Sequence, residues 1–448
     1  MTESRPPVVT AAELAESVND ARQRTFELVA DLSGQQLMGP KLSIINPLLW
    51  EIGHQAWFQE QWVLRHACKK QMIRDDADSL WDSIEIAHAR RWDLPLPSYE
   101  DTLTYLNEVR LRVLEELERG EPGEELEYFI RYTTFHEDMH TEAITYTRQT
   151  LGYSQPKLSA LGDGEAFKSS GEGAAGEKCL PGDVEIPGGQ FMLGATSDEP
   201  FVFDNEKWAH RVIVEPFAIA RTAVTQSEFA AFADDGGYHR RELWSEEGWQ
   251  WQEAAKADTP AYWRRDSDGA WRRRHFDEWV SLEPQLPVIH VNWHEAQAYC
   301  RWAGRRLPTE AEWEVAAAAE PDPRGRTLPQ RKRSFPWGDD PVTSEKVNMD
   351  WQAKGCIGVG ALSEGDSAFG CRQMIGNVWE WTNSVFLPYP GFETDPYKEY
   401  SEPWFGTRKV LRGGSWATRS RMLRNTLRNF FTPDRRDVFA GFRTCAPL

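Results

Sequence analysis

A chain of 448 residues with 51 Lys and Arg against 70 Asp and Glu carries a net charge of −19, which repels nucleic acid and anionic membranes and removes both as expected partners. The length exceeds one ordinary hydrophobic core, so two domains are expected, and no apolar stretch approaches the ~20 residues that span a bilayer. The six cysteines (Cys68, Cys179, Cys300, Cys356, Cys371 and Cys445) form no Cys-x-x-Cys pair, which argues against a zinc ribbon or a disulfide scaffold and fits a reduced cytoplasm, as does an opening Met1–Thr10 without the pattern of a secretory signal.

Apolar residues recur at helical spacing through Leu14, Val18, Ala21, Phe26 and Leu28, and again over 47–66, 99–118 and 125–150. Four such segments within 1–152 predict an antiparallel four-helix bundle. The long loop between about 68 and 98 carries Arg90 and Arg91, and loops of that length in compact domains tend to be functional or mobile. Residues 153–183 are Gly/Ser-rich and weakly apolar, the composition of an exposed linker. From 184 to 448 the texture changes to short alternating runs, such as Phe191-Met192-Leu193 and His210 to Val214, broken by Gly, Pro and Asp. Helices are expected over 225–234, 294–303 and 309–319, the last with Thr309 and Glu312 placed as a capping box. The overall expectation is an α+β chain: a helical bundle followed by an irregular, loop-rich mixed domain. The 21 Trp residues read mostly as core, with some free to wall a ligand.

The strongest chemical signal is Phe135-His136-Glu137-Asp138-Met139-His140. On a helix the two histidines lie one turn apart on one face, so both imidazoles can reach one ion. A third candidate, His54, shares a helical face with Trp50, Trp57 and Phe58 and faces the bundle interior, where metal sites between facing helices are common. The expected metal ligands are therefore His54, His136 and His140. Three neutral nitrogens with open positions suit Fe(II) and O2 chemistry, and Zn also accepts such a set. The same string matches His-Glu-x-x-His, the zinc-hydrolase pattern in which Glu137 would be the base.

The second half carries Pro287 to Trp293, Ala298 to Glu314, Pro336-Trp337-Gly338, Gly376-Asn377-Val378-Trp379-Glu380-Trp381, Leu411 to Trp416 and Gly441-Phe442-Arg443. These blocks resemble the formylglycine-generating-enzyme fold, a C-type-lectin-like scaffold. That oxidase uses a pair of reactive cysteines near the C-terminus, and only Cys445 lies there, so its activity is not expected. A DinB-like bundle with three histidines followed by this domain resembles the sulfoxide synthases of ergothioneine biosynthesis. The resemblance implies Fe(II) on the three histidines, with O2 used to join a thiol to the imidazole C2 of hercynine, trimethylated histidine.

The resemblance also implies roles for individual residues. Asn429 and Phe430 match positions lining the hercynine pocket, where an aromatic ring suits a quaternary ammonium. Arg435 matches a position binding the donor's carboxylate, with Arg90 or Arg91 in a similar role, and Met139, Trp416 and Phe431 complete the implied substrate-binding set. Tyr397 and Tyr400 fall in the segment resembling the catalytic-tyrosine region, where a hydroxyl delivers a proton or hydrogen atom. Phe431 stands where one branch has an aspartate for the amino-acid donor, and Met139 where some members have glutamine. The Asn46 to His54 segment, with Thr432 to Arg443, looks most like the selenoneine synthase branch, which joins selenium from a selenosugar to hercynine. A cysteine or γ-glutamylcysteine donor is the alternative. A zinc hydrolase and a non-catalytic binding module are the remaining classes, and Gly376-Asn377 through Glu380 is a candidate structural Ca2+ site.

Overall fold

Helix α1 (Ala11–Val29) begins where Thr10 and Glu13 exchange hydrogen bonds as a capping box, and buries the stripe Leu14, Val18, Ala21 and Leu28. In a computed structural model describing residues 9–158, 180–322, 328 and 331–447, the chain divides into two units, Met1–Leu161 and Gly162–Leu448.

In the first unit α2 is a short helix, Gly34–Met38. Helix α3 (Leu48–Gln59) runs on into a π-helical stretch, Glu60–Ala67. The long loop contains a short helix, α4 (Ala77–Trp81), which the sequence pattern did not announce. Helix α5 (Tyr99–Leu117) is capped by Ser98. Helix α6 (Glu124–Leu151) places three glutamates in its first turn, favourable to the helix dipole, and stops at Gly152 with φ of 66°. Helix α1 packs on α5 and α6, and so does α3. The expected four-helix bundle is formed, with each long helix within a few residues of its expected span.

The second unit is α+β. Strands β1 (Asp183–Ile186) and β4 (Phe217–Ala220) pair antiparallel, as do β2 (Gly189–Leu193) and β3 (His210–Val214). A three-stranded antiparallel sheet follows in β5 (Trp263–Arg265), β6 (Trp271–His275) and β7 (Glu278–Ser281). The remaining sheet runs in the order β10-β9-β8-β11, from β8 (Trp379–Val385), β9 (Lys409–Arg412), β10 (Arg428–Phe431) and β11 (Ala440–Gly441), with β11 parallel to β8. The expected helices appear as α7 (Gln226–Asp234), α9 (Trp293–Trp302) and α10 (Glu310–Ala318), the last with the Thr309–Glu312 box formed. Helix α8 (Glu246–Ala255) is additional. Beside the apolar core, buried charges are matched: Arg412 with Glu310 and Glu314, Arg428 with Glu310, Arg424 with Glu206 and Arg443 with Glu380. Most of the expected linker, 159–179, lies outside the described residues. No helix among the described residues is long and apolar enough to cross a membrane.

Candidate metal centre

Helix α3 supplies His54 and helix α6 supplies His136 and His140, one turn apart. One nitrogen from each ring lies within 4.8 Å of the other two. No other group of three or more His, Cys, Asp or Glu side chains among the described residues has that spacing. His54 and His136 are 3% and 8% exposed. The rings are fixed by aromatic neighbours: Trp50 stacks on His54 at 4.8 Å and 8°, and Phe58 on His136 at 3.7 Å and 16°.

Hydrogen bonds set the tautomers. The Nδ1–H of His54 donates to the Trp81 carbonyl at 2.8 Å, and that of His140 to the Glu51 carboxylate at 2.9 Å. Each ring therefore keeps a lone pair on Nε2, the arrangement by which an outer hydrogen bond orients a ligating imidazole. The Nε2 atoms of His136 and His140 stand 3.2 Å apart, while Nδ1 of His136 is buried without a partner. Burial, then the neighbouring imidazoles, hold the pKa of His54 and of His136 well below the ordinary histidine value. No acceptor fixes the His136 proton on Nδ1, so without an ion a proton on one of the two Nε2 atoms bridges the pair, and with that proton on Nδ1 all three Nε2 lone pairs are available to a cation. The donor set therefore fits a transition-metal ion.

Glu137 does not serve this centre. It is 1% exposed and points to the other side of α6, where Arg22 holds it at 2.8 Å and 3.1 Å and Thr25 donates at 2.8 Å. The hydrolase pattern is thus present in sequence but not in space. The expected Ca2+ site is also corrected. Asn377 Oδ1 accepts from Asn348 and from the Ile357 amide, and Glu380 is taken by Arg443 and Trp313. Those oxygens are satisfied by protein donors.

The other expected site residues divide between the units. In the first, Arg91 lies over Trp50 at 3.9 Å and donates to Asn46 at 2.6 Å, so a guanidinium backs the ring that stacks on His54. Arg90 is exposed and Met139 half-buried, next to His140 in the chain. In the second, Phe430 stacks on Phe386 at 4.0 Å and meets Tyr400 at 6.0 Å. Asn429 accepts from the Phe430 amide. Arg435 lies over Phe431 at 4.9 Å and donates to Asp437 at 2.6 Å and 2.5 Å. Tyr400 also packs on Phe203 at 5.0 Å, and burial, then Asp204 and Glu206, push its hydroxyl pKa upward. Tyr397 is half-buried. Trp416 is buried against Phe439 at 4.7 Å. Sequence reasoning missed Glu51 and Trp81. Glu51 lies one turn before His54, a spacing that was readable; Trp81 acts through its backbone carbonyl, which leaves no trace in residue type.

A three-imidazole centre on a helical bundle, followed by an α+β domain, defines a two-domain class. Residues 17–144 match the DinB superfamily and residues 171–447 the sulfatase-modifying factor enzyme 1-like domain. The chain is 38% identical over 440 residues to the hercynine oxygenase of Mycolicibacterium thermoresistibile, covering 96% of this chain and 94% of that one. It is 37% identical to the hercynine oxygenase of Mycobacterium tuberculosis, covering 94% and 96%. To the formylglycine-generating enzyme of Streptomyces coelicolor it is 33% identical, over 61% of this chain and 91% of that one. The chain belongs to the hercynine oxygenase family.

Proposed function

We propose that the chain is a non-heme iron oxygenase that joins a chalcogen donor to the imidazole C2 of hercynine, with a selenosugar as the favoured donor. The observation that carries this reading is the convergence of three imidazole nitrogens within 4.8 Å in a chain similar to hercynine oxygenases over nearly its whole length. Activation of O2 at a His-ligated centre calls for a redox-active ion, which favours iron over zinc for the same ligand set. His54, His136 and His140 hold the iron, which, when bound, supplies the capacity to activate O2.

The protein's own groups do the rest. Phe430 offers a ring face to the trimethylammonium of hercynine, with Asn429 beside it. Tyr400 keeps its proton at neutral pH and serves as a proton donor, Tyr397 being the second candidate. With a selenol or a thiol donor the overall change balances: the C2–H and the Se–H or S–H hydrogens leave, one oxygen of O2 ends on the chalcogen and the other as water. Two features support a donor without carboxylates: Phe431 is apolar, and Arg435 is already paired with Asp437. The second reading, a cysteine or γ-glutamylcysteine donor, is favoured by Arg91, whose guanidinium is held beside the His54 ring stack.

The test is anaerobic loading with Fe(II), followed by O2, hercynine and each donor in turn, with product mass measured. A C–Se product from the selenosugar alone supports the first reading. A sulfoxide from a thiol alone selects the second, and no O2-dependent product from any donor overturns both.

A further inference from the structure

The α4 segment of the long loop accepts three hydrogen bonds from side chains of helix α3. The carbonyl of Leu80 accepts from Trp50 Nε1 at 2.7 Å, the carbonyl of Trp81 accepts from His54 Nδ1 at 2.8 Å, and Asp78 Oδ1 accepts from Trp57 Nε1 at 2.8 Å. The last carbonyls of a helix have no partner within it, so the end of α4 is free to satisfy side chains of α3. Trp50, His54 and Trp57 all lie on the face that carries the metal ligand.

What lets the turn sit there is residue 53. A Cβ on Gly53 would meet the Trp81 indole at 2.2 Å from Nε1, 2.4 Å from Cε2 and 2.7 Å from Cζ2. Tyr105 stacks on the indole at 4.9 Å and 7°, and Arg74 lies over it at 5.6 Å. The indole nitrogen is buried without a partner, so shape and packing hold the ring in place. A glycine inside a helix lowers helix stability, and nothing in the local geometry of α3 calls for one except this approach.

We propose that Gly53 is a notch for the Trp81 ring, and that the Ala77–Trp81 turn seated in it is the element that orients His54 for metal binding. The proposal rests on the three-histidine reading of the centre and adds what holds one of its ligands. Gly53 and Trp81 are positioning residues: with the turn displaced, the His54 Nδ1–H loses its acceptor, and the ring is free to change tautomer and rotate its Nε2 away.

The test is anaerobic titration of the full-length apoprotein with Co(II), whose visible spectrum reports the ligand field, with helix content followed by circular dichroism. Gly53→Ala is expected to bind Co(II) about 10–100-fold more weakly, with an altered spectrum, although alanine at a helical position should otherwise favour folding. Gly53→Ala/Trp81→Leu reopens the space while keeping the carbonyl at 81, and is expected to recover most of the affinity and the original spectrum. If Gly53→Ala does not fold, the double variant decides: folded with near-native Co(II) binding it supports the notch, folded without it overturns it. Native binding by Gly53→Ala also overturns it. His54→Ala separates the two ideas. If that variant binds Co(II) as the unaltered protein does, the metal centre itself is misread; if it loses Co(II) while Gly53→Ala keeps it, only the notch is wrong.

Discussion

Arg22 holds both carboxylate oxygens of Glu137, Nε to Oε1 at 2.8 Å and Nη2 to Oε2 at 3.1 Å. The guanidinium also donates to Gln59 at 3.1 Å and to the Leu106 carbonyl, so one ion pair joins α1, α3, α5 and α6 below the imidazoles. Removing one partner of such a pair leaves a buried charge unmatched. Arg22→Met is therefore expected to lose about 3–5 kcal/mol of stability, measured by chemical denaturation of the apoprotein. Glu137→Gln should likewise lose stability; a stable Glu137→Gln protein that has lost only turnover would instead restore the hydrolase reading.

Glu51 touches His140 on the side away from the other imidazoles. Glu51→Ala is expected to weaken metal binding about 10–100-fold, as read by calorimetric titration. Glu51→Gln keeps an acceptor oxygen for the Nδ1–H and should fall between the two. Equal affinity in all three proteins would show that the carboxylate does not orient the ring.

The second unit should be acid-sensitive through two histidines. Burial brings His275 from 6.5 down to about 4 and His290 down to about 3. Both are neutral in the fold, whereas the unfolded chain takes up protons near 6.5. Stability is therefore complete above about pH 6.5 and falls as the pH drops towards 4 for His275 and 3 for His290. Between pH 7 and pH 5 each histidine is expected to cost about 2 kcal/mol. Urea unfolding at the two pH values, repeated with His290→Gln, measures it; an unchanged pH slope in that variant would refute the assignment.

The tyrosines can be separated by kinetics. Tyr400→Phe removes the buried hydroxyl and is expected to lower kcat about 10²–10⁴-fold while leaving Co(II) binding unchanged. Tyr397→Phe should have the smaller effect. The reverse order would transfer the proton-donor role to Tyr397.

The bundle was legible because its four long helices are amphipathic, with apolar residues recurring at helical spacing. In the second unit Thr309 and Glu312 announced α10, while α8 went unread: Glu246–Ala255 mixes Trp, Glu and Gln without a clean apolar stripe. The convergence of the three histidines was legible because histidine is rare and the helical spacing of 136 and 140 is a geometric statement. What surrounds them was not. The partner of Glu137 is 115 residues away in the chain, and the acceptor for His54 is a peptide carbonyl. Asn377 and Glu380 resembled cation ligands because residue type gives a list of oxygens but not which donors already occupy them.

The aromatic rings stacked on His54 and His136 have a kinetic consequence. A ring pressed against an indole or a phenyl face resists flipping, and at His54 this restraint adds to that of the Trp81 carbonyl, so the imidazole is ordered before any ion arrives. Ligand geometry is then set by folding rather than by the ion. The apoprotein should hold its rings much as a loaded protein would, and an ion bound there could be exchanged with little rearrangement of the chain.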